Sequence, residues 1–365
     1  VTARILLVSQ QLSAGGSERQ LTEVARALDR GRFDVRVATF RDGGERLADL
    51  RAASVPVEVL HLHSFRKPET LAVAWRLAAY LRRERIDLVH AFDVPATIFA
   101  TPVARAAGTR VVLSSHRASR ELSTAGQRWV LRRTDGLVDG IVTNTLAGRR
   151  ALIDEDHVPE RKVHHCPNGL DTRRFSPAPS RAGDDATLRI GALAVLRPEK
   201  SLDTLVDAVA RLHADGVRVE LVIMGDGPLR GELEARAHAQ GLAGACRFIG
   251  ANQDVVAHLR TLDLFVLPSR SEAMSNALME AMACGCAVVA SNVGGNPEVV
   301  RDGDTGVLFP AGDTAALTAV LARLATDRAE RERLSQAARA EAVTRFDLAV
   351  TVQQMAGIYE RALAG

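Results

Sequence analysis

The chain reads as an α/β protein made of two doubly wound, Rossmann-like domains. Three observations predict this. At 365 residues it is longer than a single hydrophobic core ordinarily supports, so about two domains are expected. Strand-sized apolar runs alternate with helix-patterned stretches, the rhythm of a mostly parallel sheet covered on both faces. That rhythm breaks once, at 171–187, where DTRRFSPAPSRAGDDAT holds two prolines, a glycine and no apolar periodicity, and then resumes.

The first series opens with a strand at Arg4–Ser9. A glycine-containing loop follows, and then Leu21, Val24, Ala25 and Leu28 mark one face of a helix. Further strands are expected at Val35–Phe40, Val57–Leu62, Asp87–Phe92, Arg110–Ser115 and Gly140–Asn144. The second series has strands at Leu188–Leu196, Val217–Met224, Cys246–Ile249, Leu264–Leu267 and Ala287–Ser291. Leu202, Leu205, Val206 and Val209 mark a helical face among them. After Val307–Phe309 the chain is helical to its end. The expected organisation is a first domain at 1–170, a linker at 171–187, a second domain at 188–345, and a C-terminal helix at 346–365 that packs back on the first domain. Two such domains would place a cleft at the carboxyl edges of their strands, where ligands of this fold class bind.

Composition narrows the function. Hydrophobic residues at 47% and charged residues at 25% are average for a globular protein and exclude disordered or collagenous chains. No apolar run approaches the ~18 residues of a membrane span, and no secretory signal pattern opens the sequence. Four cysteines are too few for a disulfide framework, which predicts a reducing, cytoplasmic setting. The net charge of +3 is unevenly shared: residues 1–170 hold 26 Lys+Arg against 19 Asp+Glu, and the remainder 21 against 25. A basic first half suits an anionic partner. Aromatic residues at 4% offer few stacking platforms, so no nucleic-acid partner is expected. Three of the 47 cations are lysines, Lys67, Lys162 and Lys200, which singles each of them out.

Residues 264–291, LFVLPSRSEAMSNALMEAMACGCAVVAS, read as strand, polar loop, helix, strand. The helix should run from about Asn276 to Cys284, with Gly285 ending it. Such a loop presents backbone N–H groups at a helix N-terminus, a site that favours phosphate. Glu272 and Glu280 flank it and suit sugar hydroxyls better than phosphate. The alternative is an exposed loop glutamate and a solvated helix glutamate. Gly15-Gly16 lies between a strand and a helix, either as an ordinary tight turn or as a close approach to a diphosphate. The loop is not G-x-G-x-x-G, which argues against a nicotinamide cofactor.

Taken together, these segments resemble the family 4 glycosyltransferases, whose fold is GT-B, two Rossmann-like domains facing across a deep cleft. SEAMSNALMEAMACG resembles the family's signature segment. Gly15-Gly16-Ser17-Glu18 resembles its first loop, Asn168-Gly169-Leu170-Asp171 the segment before the linker, and Arg197-Pro198-Glu199-Lys200 its basic donor motif. Gly225-Asp226-Gly227-Pro228 and Val293-Gly294-Gly295-Asn296-Pro297-Glu298 match two more segments. The resemblance extends over nearly the whole chain.

The resemblance implies a retaining, metal-independent glycosyltransferase. It would use a UDP-, GDP- or ADP-sugar and a hydroxyl acceptor, which could be a glycan, a lipid-linked sugar or a small molecule, and it would need no cofactor. Lys200 would bind the donor diphosphate, Glu280 the ribose, and Glu272 the transferred sugar. Gly16, Arg197, Ile249, Met274, Ser275, Asn276 and Ala277 would complete the donor site, and His116 would contact the sugar in catalysis, with Arg117 a competitor for that role. Two positions depart from the family pattern. Val195 stands where a second cation is usual, with Arg197 either its substitute or a solvent-facing residue, and Ala273 stands where Gly or Pro follows the first glutamate. The rivals are a GT-B-shaped binding protein without transfer activity, a two-lobed solute-binding protein and a sugar-nucleotide epimerase.

No metal site is expected. His164-His165-Cys166 would point to alternate faces of a strand, and Asp302-Gly303-Asp304 reads as a turn. Arg117, Arg120, Arg128, Arg132 and Arg133 crowd around Trp129 and Leu131. A helix over 119–133 would put Leu122, Ala125 and Trp129 on one face, either in the core or as a basic interfacial surface on the inner face of a membrane.

Overall fold

A computed structural model describes residues 2–13, 15–65, 67–117, 124–178, 187–251 and 254–365. The chain divides into two compact units, Val1–Gly169 with Leu348–Gly365, and Leu170–Asp347.

Among the described residues the first unit carries β1 (Ala3–Ser9), β2 (Phe33–Thr39), β3 (Val57–Val59), β4 (Leu88–Ala91), β5 (Val111–His116), β6 (Gly140–Thr143) and β7 (Val163–His165). Its helices are α1 (Gly16–Ala27), α2 (Arg46–Ala52), α3 (Glu69–Arg83), α4 (Val94–Ala107), α5 (Ala125–Leu137) and α6 (Leu146–Asp154). The strand order is β3-β2-β1-β4-β5-β6-β7, and every pairing is parallel. β4 and β6 are buried at every position, as strands covered on both faces are. The order reverses beside β1, so the loops after β1 and β4 diverge at the carboxyl edge of the sheet.

The second unit carries β8 (Leu188–Leu193), β9 (Val219–Met224), β10 (Cys246–Ile249), β11 (Leu264–Leu267), β12 (Ala287–Ser291) and β13 (Val307–Phe309). Its helices are α7 (Leu202–Ala214), α8 (Arg230–Ala239), α9 (Val255–Leu259), α10 (Asn276–Ala283), α11 (Asn296–Val299), α12 (Thr314–Thr326) and α13 (Arg328–Arg345). The order β10-β9-β8-β11-β12-β13 is again wholly parallel. Leu202, Leu205, Val206 and Val209 of α7 are all buried, as their spacing predicts.

The chain then closes with α14 (Leu348–Ala364), which belongs to the first unit. Met355, Ile358 and Tyr359 are buried in the same core as Leu21 and Val24 of α1 and Val35 of β2. Tyr359 meets Phe33 edge to face at 6.2 Å. Fully burying one such side chain contributes about 1.5–3 kcal/mol.

Three local readings change. β7 is not among the strands that apolar runs predict, although His164 and His165 read as strand residues: Val163-His164-His165 is short and lacks an apolar alternation, and its pairing with β6 defines it. Residues 171–178 are fastened to the second unit instead of running free. Phe175 is buried there, and Arg339 donates to the carbonyls of Phe175 at 2.9 Å and Thr172 at 3.1 Å. The rest of the expected linker, residues 179–186, lies outside the described residues. The helix expected over 119–133 is α5, which begins at Ala125 after a capping box of Thr124 and Gln127; Arg120 and Leu122 lie outside the described residues. Leu131 enters the core, while Trp129 stays 59% exposed, so the tryptophan is not a core residue.

Candidate active site

In the second unit the site grows from loops at the carboxyl ends of the strands. After β8 the chain turns through Ala194–Leu196 into a short 3-10 turn, Pro198–Lys200. The next loop crosses it closely. Gly225 has φ +124°, and a Cβ there would lie 2.0 Å from the Ala194 carbonyl oxygen. At Gly227 a Cβ would lie 2.6 Å from the Leu196 nitrogen. The glycines of the Gly-Asp-Gly segment therefore let two backbones touch and fix the loop that carries Arg197 and Lys200. Gly225 N also donates to the Ile249 carbonyl at 3.1 Å, which puts the end of β10 beside that crossing.

The loop after β11 is stitched to the same turn. Lys200 Nζ donates to Glu272 Oε1 at 2.6 Å, and Ser269 Oγ donates to the same oxygen at 2.7 Å. Arg270 N donates to the Glu199 carbonyl at 2.8 Å, and Arg270 Nε to Ser201 Oγ at 3.2 Å. Ser201 is buried in the left-handed region at φ +48°, a strain of roughly 1 kcal/mol or more for a residue with a Cβ. On the other side stands Gly294, φ +52°, where a Cβ would come 1.8 Å from the Glu272 carbonyl oxygen. Glu272 is thus held by Lys200 and Ser269 at its carboxylate and by Gly294 at its backbone.

Ser275 caps α10, its Oγ accepting from Leu278 N at 3.4 Å. Met274 and Ser275 are buried, and Asn276 and Ala277 are half-buried in the first turn, where the helix dipole concentrates partial positive charge. Glu280 is 2% exposed. That excludes the solvated helix glutamate, because a carboxylate is kept from water only where polar groups compensate it. Arg197 is exposed, and its guanidinium has no hydrogen bond or ion pair among the described residues. Val195 is also exposed, at 51%.

In the first unit Gly15 precedes α1 with no side-chain cap, and Gly16, exposed, is the first helical residue. Glu18 folds back over this turn, and a Cβ on Gly15 would meet its Oε2 at 2.2 Å. Burial raises the Glu18 carboxyl above its ordinary range, and nearby Asp93 adds to this. Asp93 caps α4 and takes Ser9 Oγ at 2.6 Å and Gln10 N at 2.7 Å, tying the β1 loop to the β4 loop.

His116 is the last residue of β5, paired with Thr143 of β6. Its Nδ1 faces the first turn of α6, 3.7 Å from where a Gly148 Cβ would lie. Arg117 follows, with Nη1 donating to Asn168 Oδ1 at 2.8 Å and its guanidinium 4.9 Å over the Phe92 ring. Gln20 of α1 clasps Gly169, donating to its carbonyl at 2.8 Å and accepting from its N–H at 2.9 Å.

Sequence reasoning separates Lys200 from Glu272 by role, and the structure bonds them to each other. It passes over Ser269, Ser201 and Arg270, which carried no signal beyond being polar residues beside a strand end. Among the described residues no group of three His, Cys, Asp or Glu side chains is placed to hold a metal ion. Asp302 accepts from Leu308 N at 2.8 Å and Asp304 pairs with Arg301 at 2.8 Å, both within a turn. Burial pushes the Cys166 and Cys284 thiols up to about 11, so neither is an activated nucleophile.

Two doubly wound parallel sheets, with polar residues gathered at their carboxyl edges, define a Rossmann-like α/β protein of the GT-B fold. Residues 14–174 match the family described as Glycosyltransferase Family 4, and residues 181–341 match Glycosyl transferases group 1. The chain is 32% identical over 301 residues to a phosphatidyl-myo-inositol mannosyltransferase of Mycobacterium leprae, covering 79% of this chain and 77% of that one. It is 29% identical over 304 residues to a GDP-mannose-dependent alpha-(1-6)-phosphatidylinositol monomannoside mannosyltransferase of Mycolicibacterium smegmatis, covering 78% and 79%. The crystal structure of Anabaena HepE in complex with UDP and glucose superposes with a TM-score of 0.86 at 24% identity, covering 98% of this chain and 99% of that one. Sucrose-phosphate synthase from Thermosynechococcus elongatus superposes at 0.82 with 19% identity, covering 99% of each. The chain belongs to the family 4 glycosyltransferases, and its enzyme class is glycosyltransferase.

Proposed function

We propose that the protein is a retaining, metal-independent glycosyltransferase that moves a sugar from a nucleotide-diphosphate sugar to a hydroxyl acceptor. The observation that carries the reading is the Lys200–Glu272–Ser269 cluster beside the capped N-terminus of α10, with Glu280 buried one turn further in. Cation, helix end and two carboxylates are the groups a diphosphate joined to sugars requires. A nucleotide-sugar donor is also in keeping with the GDP-mannose dependence of one relative and the UDP bound in HepE.

In this reading the second unit holds the donor and the first receives the acceptor. Glu280 holds the ribose hydroxyls and Glu272 the hydroxyls of the transferred sugar, and the family resemblance assigns His116 to the sugar and Gly16 to the donor. The acceptor oxygen attacks the anomeric carbon from the leaving-group face. The bond to the diphosphate breaks, and the acceptor proton passes to the departing phosphate oxygen, so no protein base is needed. Lys200, exposed Arg197 and the α10 N-terminus stabilise the charge that grows on the diphosphate. Because Lys200 is bonded to Glu272, binding of the diphosphate must share or replace that ion pair.

A screen of UDP-, GDP- and ADP-sugars by thermal shift identifies the donor, since a ligand that binds only the folded state raises Tm. Turnover with and without hydroxyl acceptors then separates transfer from mere binding and from epimerisation. The anomeric configuration of the product checks retention, and full activity in EDTA checks independence from metal. Loss of activity in EDTA that Mg²⁺ or Mn²⁺ restores refutes the metal-free mechanism.

A peripheral contact with an anionic membrane is part of the proposal. No helix among the described residues is long and apolar enough to cross a bilayer. On the first unit, however, α3 exposes Leu71 at 78% and Trp75 at 72%, and α5 exposes Trp129 with Arg133 stacked over it at 4.1 Å. Both helices pack on α4. Arg128 is exposed as well, whereas Arg132 is paired with Asp156 at 3.1 Å. Apolar rings framed by arginines suit the interface of an anionic leaflet.

A further inference from the structure

The mechanism above draws no cation from the first unit, yet that unit keeps one guanidinium where charge is costly. Arg117 leaves the end of β5 with Nη1 on Asn168 Oδ1 at 2.8 Å, Nε on Ser115 Oγ at 3.3 Å and its plane over Phe92. Its Nη2 is buried and has no hydrogen-bond partner. Among the described residues no carboxylate pairs with it, and the ionisable groups that face it are His90, Cys166 and Tyr359.

All three of those groups are neutral near pH 7. Burial holds His90 well below its ordinary range, pushes the Cys166 thiol up to about 11 and raises the Tyr359 hydroxyl. Burial also lowers Arg117 itself, the mark of a charge that the fold does not neutralise. A guanidinium remains protonated even so, and withdrawing such an ion from water without a counter-charge is unfavourable.

The side chain is nevertheless held carefully. Tyr359 of α14 meets His90 Nδ1 at 2.8 Å, His90 Nε2 meets Ser115 Oγ at 2.9 Å, and Ser115 receives Arg117. Asn168 also receives Asn144 Nδ2 at 3.2 Å. A structural arginine built into so complete a network would have its fork filled, and this one has an arm left over. A second feature favouring anions stands close in the chain of contacts. Gly169, next to Asn168, is clasped by Gln20, which fastens the uncapped first turn of the 12-residue α1 beside the same edge.

We propose that Arg117 is the recognition point for an oxyanion, a phosphate or carboxylate group, that a substrate presents at the carboxyl edge of the first unit's sheet. The assignment of that group to a substrate rests on the glycosyltransferase reading; the oxyanion site itself does not. The group comes either from the acceptor or from the donor diphosphate, and both offer oxygens that the free arm of the fork can engage.

The test uses the full chain at low ionic strength, with inorganic phosphate as probe. Lys200→Ala serves as background to remove the site in the second unit. Phosphate is expected to raise the Tm of Lys200→Ala in a saturable way. Adding Arg117→Gln should weaken phosphate binding roughly ten- to a hundred-fold, the scale of a charge-assisted hydrogen bond. Arg117→Lys keeps the charge without the fork and should weaken it several-fold, which keeps the test valid if the glutamine variant does not fold. UDP and GDP affinities, measured with Lys200 intact, identify the source. A tenfold loss in Arg117→Gln assigns the donor diphosphate, and unchanged affinity beside lost phosphate binding assigns an anionic acceptor. Equal phosphate binding with and without Arg117 overturns the proposal, as does no phosphate binding at all combined with unchanged nucleotide affinity. None of these readouts requires sugar transfer, so their failure is distinct from failure of the enzymatic reading.

Discussion

Lys200 and Glu272 meet across 72 residues of sequence, and their bond sets what single substitutions should do. Lys200→Ala removes the charge expected on the diphosphate and leaves Glu272 without its cation. It should lower kcat/KM by roughly 10²-fold or more, the scale of losing one preorganised electrostatic donor. Steady-state kinetics on a variant with native circular dichroism checks this, and near-normal turnover would remove Lys200 from the mechanism. The two glutamates should separate. Glu280→Gln should weaken binding of the free nucleotide, because the ribose is remote from the reacting bond. Glu272→Gln should spare nucleotide affinity and depress kcat, because in the proposed mechanism it holds the sugar that distorts in the transition state. Calorimetry with the nucleoside diphosphate beside transfer assays decides both. The sequence singled out Lys200 and Glu272, as a rare lysine and a glutamate at a strand–loop–helix junction. It did not show their pairing, since nothing in two distant loops encodes which side chains meet. Ser269 was hidden for the same reason, and Arg117 stood out only as a rival to His116 and as one of a run of arginines, without its partners. Their importance lies in their partners.

Loops carry Lys200 and Glu272 of the candidate site, beside the helix that holds Glu280, and glycine fixes where they cross. Gly294 gives the sharpest case, because a Cβ there would overlap the Glu272 carbonyl oxygen. Gly294→Ala should cost about 1–3 kcal/mol of stability through overpacking and positive φ combined. It should also reduce kcat further than the fall in Tm accounts for, because the displaced loop carries Glu272. Denaturation and kinetics on the same preparation test this, and unaltered catalysis would show that the crossing is dispensable. The strands were legible because both faces of each sheet are covered, giving unbroken apolar runs such as Leu264–Leu267. β7 carries no such run, and only the alternation of His164 and His165 marked it. The glycine segments stood out by composition, yet their contacts are with neighbouring loop backbone, a meaning that only the crossing of chains reveals.

At the scale of the whole molecule, charge and covalent order matter most. The first 170 residues carry an excess of seven positive charges, 26 against 19, and the same region exposes Leu71, Trp75 and Trp129. Each basic residue near an anionic leaflet contributes about 1 kcal/mol, so sedimentation with anionic vesicles should be appreciable at low salt and reversed by high salt. Trp75→Ser with Trp129→Ser should reduce it several-fold. Equal partition into neutral vesicles, or none into either, would show these rings to be ordinary surface. The return of α14 gives a second prediction. Ending the chain at Asp347 would strip Met355, Ile358 and Tyr359 from the first unit's core, at about 1.5–3 kcal/mol apiece. Protease nicking should then fall mainly within residues 1–169, with the second unit surviving. Survival of both units would show α14 to be peripheral.

That return also orders events during synthesis. The second unit is continuous in the chain and can close as soon as Asp347 has left the ribosome, whereas the first, though made earlier, lacks a wall of its core until α14 emerges. At ordinary translation speeds of about 5–20 residues per second, the nascent first unit waits roughly 10–40 s for the remainder of the chain. Throughout that interval Phe33, Leu21 and Val24 are short of their last partner, so the nascent chain should depend on chaperones most for the half that the ribosome releases first.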